Sequence, residues 1–172
     1  MKQIEQLTGD YLLSLLFESM TSDKMIETID SLGLEQPVLD EQYEMDREVV
    51  ILDKNHGLSF NFREIKECSQ SGEPCLYRLS FEKSYQGSLP FGISAPDDYQ
   101  QVKEKIGRKA DFRDEEIATN VRIWIIETEQ GKQYTFNVFF IDEDNLEGIH
   151  SITAMPYDPD FDNEDNYTVC EE

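Results

Sequence analysis

The sequence predicts an α+β fold made of two similar units, about 20–85 and 87–155. Each unit is a helix followed by an antiparallel meander, with the helices packed on one face of the sheet. Three observations carry this expectation. Apolar residues recur with helical period in some stretches and alternate in others, which separates helices from half-buried strands. In both halves the helical stretch precedes the strands, the order of an α+β layer fold. A fixed offset also relates the halves: Gly33 and Gly57 plus 74 give Gly107 and Gly131. The same shift sets Leu32 on Ile106, Val50 on Trp124, Leu52 on Ile126, Phe60 on Tyr134 and Phe62 on Phe136. A helix-ending glycine and a hairpin glycine in one frame point to an internal duplication, although glycine is expected at turns anyway.

Each element follows from its local pattern. Residues 4–19 carry Ile4, Leu7, Tyr11, Leu12, Leu15 and Leu16 on one helical face. Ser22 is suited to cap a second helix bearing Met25, Ile26, Ile29 and Leu32, with Gly33 in the C′ position. After an acidic loop at 39–48, "VVILDKNHGLSFNF" reads as two strands around a turn, and "LYRLSFE" as a third. In the second half Asp97 or Ser94 can cap a helix carrying Tyr99, Val102 and Ile106 that ends on Gly107. The acidic loop "ADFRDEE" precedes a hairpin from "VRIWIIETEQGKQYTFNVFF" and a last strand in "LEGIHSITAM". Between the halves, Leu89, Phe91 and Ile93 read as a buried strand or turn, bent by Pro90 and Gly92. The expected organisation is one domain of 1–172: an N-terminal repeat over 1–86, a C-terminal repeat over 87–157 and an acidic tail over 158–172.

With 38% apolar residues, 10 Phe and 8 Tyr, the chain of 172 residues can build a core. Its charge is the outlier: 37 acidic against 15 basic residues, a formal −22. Such a field repels nucleic acid and anionic membranes and attracts basic partners. An acidic surface that only keeps a protein soluble is the plainer reading. No signal h-region and no window of about 18–20 apolar residues is evident, so no membrane role is expected. Cys68, Cys75 and Cys170 are odd in number. Cys68 and Cys75 flank a turn containing Gly72 and Pro74 and are able to bridge, but free thiols in a reducing cytoplasm are the simplest reading.

No catalytic constellation stands out. His56 lies in a turn and His150 at a strand start, with no nucleophile elbow, phosphate loop or zinc signature beside either. Among so many carboxylates the sequence singles out no acid–base pair. "DPDFDNEDNYTV", residues 158–169, begins like a calcium loop, but Asn163 stands where glycine is needed and Val169 where a bidentate Glu is needed. No cofactor or metal is expected. The tail from Asp158 to Glu172 holds seven carboxylates and no basic residue, with Tyr157, Phe161 and Tyr167 interleaved. It is either a solvated terminus or an anionic strip with aromatic anchors for a basic cleft. The expected partner-binding residues are Asp111, Asp114, Glu115, Glu116, Asp142, Glu143, Asp144, Tyr157, Asp158, Asp160, Phe161, Asp162, Glu164 and Asp165.

"GSLPFGI", a short helix ending "KIG", "RIWII" and "YTFNVFFIDEDNLEGI" together resemble a pattern in bacterial immunity proteins. These are the antidotes encoded beside polymorphic toxins of contact-dependent inhibition and type VI secretion systems. The tandem helix-and-meander order also looks like the repeat of beta-lactamase-inhibitor and outer-membrane assembly lipoprotein folds. The resemblance covers about residues 20–155 and is clearest over 87–150. This chain departs from it with Ile-Gly-Arg-Lys at 106–109 and with Asp-Glu-Asp-Asn-Leu-Glu-Gly at 142–148, which lacks the usual earlier glycine. The resemblance implies a cytoplasmic, non-catalytic protein that blocks the active-site cleft of a cognate toxin, as a monomer in a 1:1 complex. A basic, nucleic-acid-cleaving toxin suits the charge. Two readings stay open beside it: an acidic secretion chaperone for an exported effector, and a hydrolase using an unflagged carboxylate pair.

Overall fold

The computed structural model of the chain describes residues 7–172. It is α+β, with few helices and eight antiparallel strands. The chain divides into two compact units, Met1–Pro90 and Phe91–Glu172, and the division falls inside the Leu89–Ile93 stretch.

The first unit contains α1 (Gly9–Leu13), α2 (Asp23–Ser31), α3 (Glu41–Asp46), β1 (Val49–Asp53), β2 (Leu58–Arg63) and β3 (Cys75–Phe81), with strands in the order β1-β2-β3. The helix expected over 4–19 is much shorter, and residues 4–6 lie outside the described part. The Thr8 side chain accepts from the Tyr11 amide at 3.1 Å to start α1. After Leu13 the chain tightens through Leu15 N–H to Leu12 O and Leu16 N–H to Leu13 O. Phe17 then takes φ 69°, and its N–H bonds Leu76 O at 2.7 Å. Pairing with β3 overrides the helical period, while Leu12, Leu15 and Leu16 stay buried.

The second helix is as predicted. Ser22 accepts from the Met25 amide, and Gly33, at φ 70°, completes a Schellman end with Gly33 N–H to Asp30 O and Leu34 N–H to Ile29 O. The acidic loop expected at 39–48 instead contains α3, because Asp40 caps it through the Tyr43 amide.

Cys68 and Cys75, read as free thiols, are joined by a disulfide with their Cα atoms 5.5 Å apart. The intervening turn, with Gly72 at φ 82°, brings them together. Cys170 is free and buried.

The second unit begins in a 3-10 turn at Pro90–Gly92 rather than a strand. Phe91 sits there at φ 58° and packs its ring edge-on against Phe136 at 5.0 Å. It continues with α4 (Tyr99–Ile106), β4 (Phe112–Arg113), β5 (Val121–Glu127), β6 (Gln133–Phe140), β7 (Ile149–Pro156) and β8 (Thr168–Val169), its strands in the order β7-β6-β5-β4-β8. Asp98, not Asp97 or Ser94, caps α4 in a capping box with Gln101, and Gly107 ends it at φ 93°. Asp97 is instead buried and accepts from Lys105 at 2.6 Å and from the Ser94 amide at 2.7 Å. Tyr99 places α4 over β5 and β6, its ring 6.0 Å from Trp124 and 6.3 Å from Phe140. Trp124 is fully buried and donates its ring N–H to Arg108 O at 3.0 Å.

Strand register corrects one part of the 74-residue frame. Phe60 and Phe62 pair with Ile51 and Val49, whereas Tyr134 and Phe136 pair with Ile126 and Trp124. The offset is therefore 74 from β2 to β6 but 75 from β1 to β5 (49 to 124, 51 to 126). A one-residue slip exchanges the faces of a strand, so Val50 and Leu52 point away from Phe60 and Phe62 and are exposed. They are not the counterparts of buried Trp124 and half-buried Ile126.

Candidate functional site

The predicted carboxylates all belong to the second unit, and local backbone chemistry decides which remain available. Asp114 turns its carboxylate back on its own loop and accepts from the Glu116 and Ile117 amides at 2.8 and 3.0 Å. Burial opposes its charge, but these amides and that of Ala118 outweigh it and hold its pKa below the usual range. The loop is thereby fixed, with Glu115 and Glu116 exposed beside Ile117, which is 91% exposed. Thr119 Oγ1 donates to Glu143 at 3.3 Å, joining this loop to the Asp142–Asp144 turn. Asp142 caps that turn through the Asp144 and Asn145 amides, chiefly the latter, so its pKa also lies low. Glu143 and Asp144 are left exposed. Arg113, the cation within the loop, is already paired with Glu115 at 2.5 Å and Glu172 at 2.6 Å.

The tail does not project as a free strip. The Tyr157 amide bonds Gln133 O, Cys170 N–H bonds Asp111 O at 3.0 Å, and β8 pairs with β4. Asp162 is buried and accepts from the Asp158 amide at 2.8 Å. Burial, with the nearby Asp158 charge, raises its pKa, and its bond to the Asp158 amide gives it a structural role in the tail. Phe161 meets Tyr167 edge-on at 5.9 Å, and Phe112 lies tilted against it at 6.2 Å. Burial, followed by the charges of Asp162 and Asp114, raises the Tyr167 pKa, so the tail and the Asp114 loop share one field. A groove of about 440 Å³ opens between Phe112 and the tail, lined by Phe112 and Tyr157 and by Asp162, Asn163, Glu164 and Asp165. Aromatic rings and carboxylates lining one groove suit a guanidinium or ammonium group.

The structure thus brings Glu115, Glu116, Glu143 and Asp144 onto one ledge, while Asp114 is turned inward to fix its loop. Tyr157, Glu164 and Asp165 stand around the neighbouring groove, with Asp158, Asp160 and Phe161 exposed on the tail. It withdraws Asp111, whose carboxylate accepts from Arg108 and from the Ile125 amide, both at 2.7 Å. Asp142 and Asp162 are withdrawn likewise. Sequence reasoning missed Ile117 and Phe112; an isolated Ile between Glu116 and Ala118 carries no periodic signal that marks it as exposed. It also missed Glu172, which bonds Arg113 and Arg122 through its carboxylate and Lys103 through its carbonyl.

The two histidines take different roles. His56 closes the β1–β2 turn, its Nδ1 2.6 Å from buried Asp53, which also accepts the His56 amide. His150 is exposed beside Ser151 Oγ at 3.2 Å. Among the described residues no three His, Cys, Asp or Glu side chains are grouped to hold a metal, and no helix is long and apolar enough to cross a membrane. Comparison of the chain with known protein families, characterised proteins and solved structures returns no match.

Proposed function

We propose that this chain is a non-catalytic inhibitor of the immunity-protein type, which binds the basic cleft of a cognate toxin domain through the acidic ledge of its second unit. The observation that carries the reading is Ile117. It stands 91% exposed on a loop fixed by Asp114 and surrounded by exposed carboxylates. An apolar anchor ringed by charges is the arrangement in which buried area supplies affinity while charge supplies steering. The carboxylates occupy positions that phosphates would take in a nucleic-acid-binding cleft. The groove beside them offers aromatic lining to one of the cleft's cations.

The duplication belongs to the same reading. With 75 added, β1 (49–53) becomes 124–128, and with 74 added β2 (58–63) becomes 132–137 and β3 (75–81) becomes 149–155. These spans overlie β5, β6 and β7. Two copies of one helix-and-meander unit, slipped in register and freed to diverge, account for a first copy and a second that carries the acidic ledge.

The test is association with the toxin domain encoded in the neighbouring reading frame. We expect a 1:1 complex that abolishes toxicity, with an on-rate above the roughly 10⁵–10⁶ M⁻¹s⁻¹ of uncharged pairs that falls steeply with salt. Ile117→Ser should speed dissociation and leave folding unchanged, and Glu115→Gln with Glu116→Gln should slow association. No binding, or an on-rate indifferent to ionic strength, would sink the proposal. A cytoplasmic location is part of it, and there Cys68 and Cys75 meet a reducing thiol pool, so neutralisation is to be measured with and without reductant. A secretion chaperone would instead hold an extended N-terminal segment of its effector.

A further inference from the structure

The first unit presents a sheet edge that natural proteins ordinarily protect. β1 reads Val49-Val50-Ile51-Leu52 without an interruption by Lys or Pro, and it lies at the end of the β1-β2-β3 order. Among the described residues only β2 pairs with it, and no other backbone group bonds its outer edge. Val50 is 48% and Leu52 62% exposed. Alongside runs the segment Leu34–Val38, held away from the strand because the Gln36 side chain donates to Ile26 O and Asp30. Between the two lies a groove of about 420 Å³, to which Val38, itself 67% exposed, contributes a further apolar wall. An uncovered, apolar, straight edge is a template for strand pairing unless something occupies it.

We propose that the β1 edge is a strand-addition site for an extended segment of a basic protein, one that alternates apolar and Lys or Arg residues. Alternation follows from the geometry. A strand added to β1 sends every second side chain to the face of Val50 and Leu52, where an apolar side chain finds cover, and the rest to the other face. The basic character follows from the groove's lining. Exposed Glu35 and Asp40 are among the lining residues, and no Lys or Arg is. The same charge argues against a second copy of this chain, since β1-to-β1 pairing would bring two such linings, on molecules of −22 each, face to face. This surface lies on the other unit from the acidic ledge, so it stands or falls apart from the inhibitor reading.

The experiment uses the whole protein and two short synthetic peptides, one alternating Val and Lys, the other alternating Val and Glu. We expect the Val-Lys peptide to bind and to protect the β1 backbone amides from hydrogen exchange, and the Val-Glu peptide to do neither. Val50→Thr with Leu52→Thr keeps strand propensity and net charge while removing apolar cover, and should weaken Val-Lys binding by about tenfold or more. Binding that the double variant leaves unchanged would overturn the proposal. So would protection confined to the acidic tail, or self-association that protects β1 without any peptide.

Discussion

Gly9→Ala sets helix propensity against tertiary packing and lets one measurement choose between them. Gly9 opens α1, and by propensity alone alanine there should stabilise the helix by up to about 1 kcal/mol. The surroundings say the opposite. A Cβ at Gly9 would lie 2.4 Å from Ser88 O, 2.5 Å from Pro90 N and 2.6 Å from Leu89 C, all of them backbone atoms. Ordinary contact needs about 3.5 Å or more, so the Ser88–Pro90 chain must retreat by about 1 Å. That retreat also stretches the Gly9 N–H to Ser88 O bond, now 2.7 Å, worth about 1 kcal/mol. Overpacking of this kind costs about 1–3 kcal/mol, so the net expectation is a loss of about 2 kcal/mol. Urea unfolding followed by tryptophan fluorescence and by circular dichroism should show a lower midpoint with an unchanged slope. A variant as stable as the parent, or more so, would refute the claim that the Leu89-Pro90 approach to α1 is what requires glycine.

The remaining predictions concern the core, the bridge and pH. Trp124→Ala should cost about 3–5 kcal/mol, because the ring is fully buried, whereas Trp124→Phe keeps much of that packing and loses the bond to Arg108 O. Thermal or urea denaturation that ranks the two equally would contradict the burial. Replacing Cys68 and Cys75 with Ser should cost about 2–3 kcal/mol, the value for a short closed loop, and reductant should lower the parent's stability to match. Insensitivity of the parent to reductant would mean that the bridge contributes nothing. Glu48→Gln probes a carboxylate whose charge burial opposes but which bonds from Tyr77 and Asn61, with Arg78 and Arg63 nearby, hold below its ordinary pKa. A lowered folded-state pKa stabilises above the unfolded value and is lost as pH falls through the folded one. The variant should therefore be less stable at neutral pH, with the gap closing in acid; a gap constant with pH would refute it.

How much was legible in the sequence depended on whether the signal was local. Ser22, Gly33 and Gly107 announced their helix ends, because capping is a contract between residues three or four positions apart. The two hairpins were equally plain from alternating Leu58, Phe60 and Phe62 and from the "IWII" and "FNVFF" runs. Where two neighbours offered the same chemistry, as Asp97 and Asp98 did, the sequence pointed to the wrong one. Burial and Lys105 had claimed Asp97. The helix of 4–19 failed for a similar reason, since Phe17 gives up helical geometry to bond Leu76, which lies far along the chain.

The surface was the least legible part. The α+β class, the strand hairpins and the excess of carboxylates could be read from the chain alone, because propensity, periodicity and charge are sums over near neighbours. Which carboxylates face water emerged in the folded chain, as at Asp111, whose side chain is held by the Ile125 amide fourteen residues on. Tertiary pairing likewise set the register that turned Val50 and Leu52 outward. Both outcomes rest on contacts between residues distant in the chain, and a one-residue difference in register exchanges the two faces of a strand.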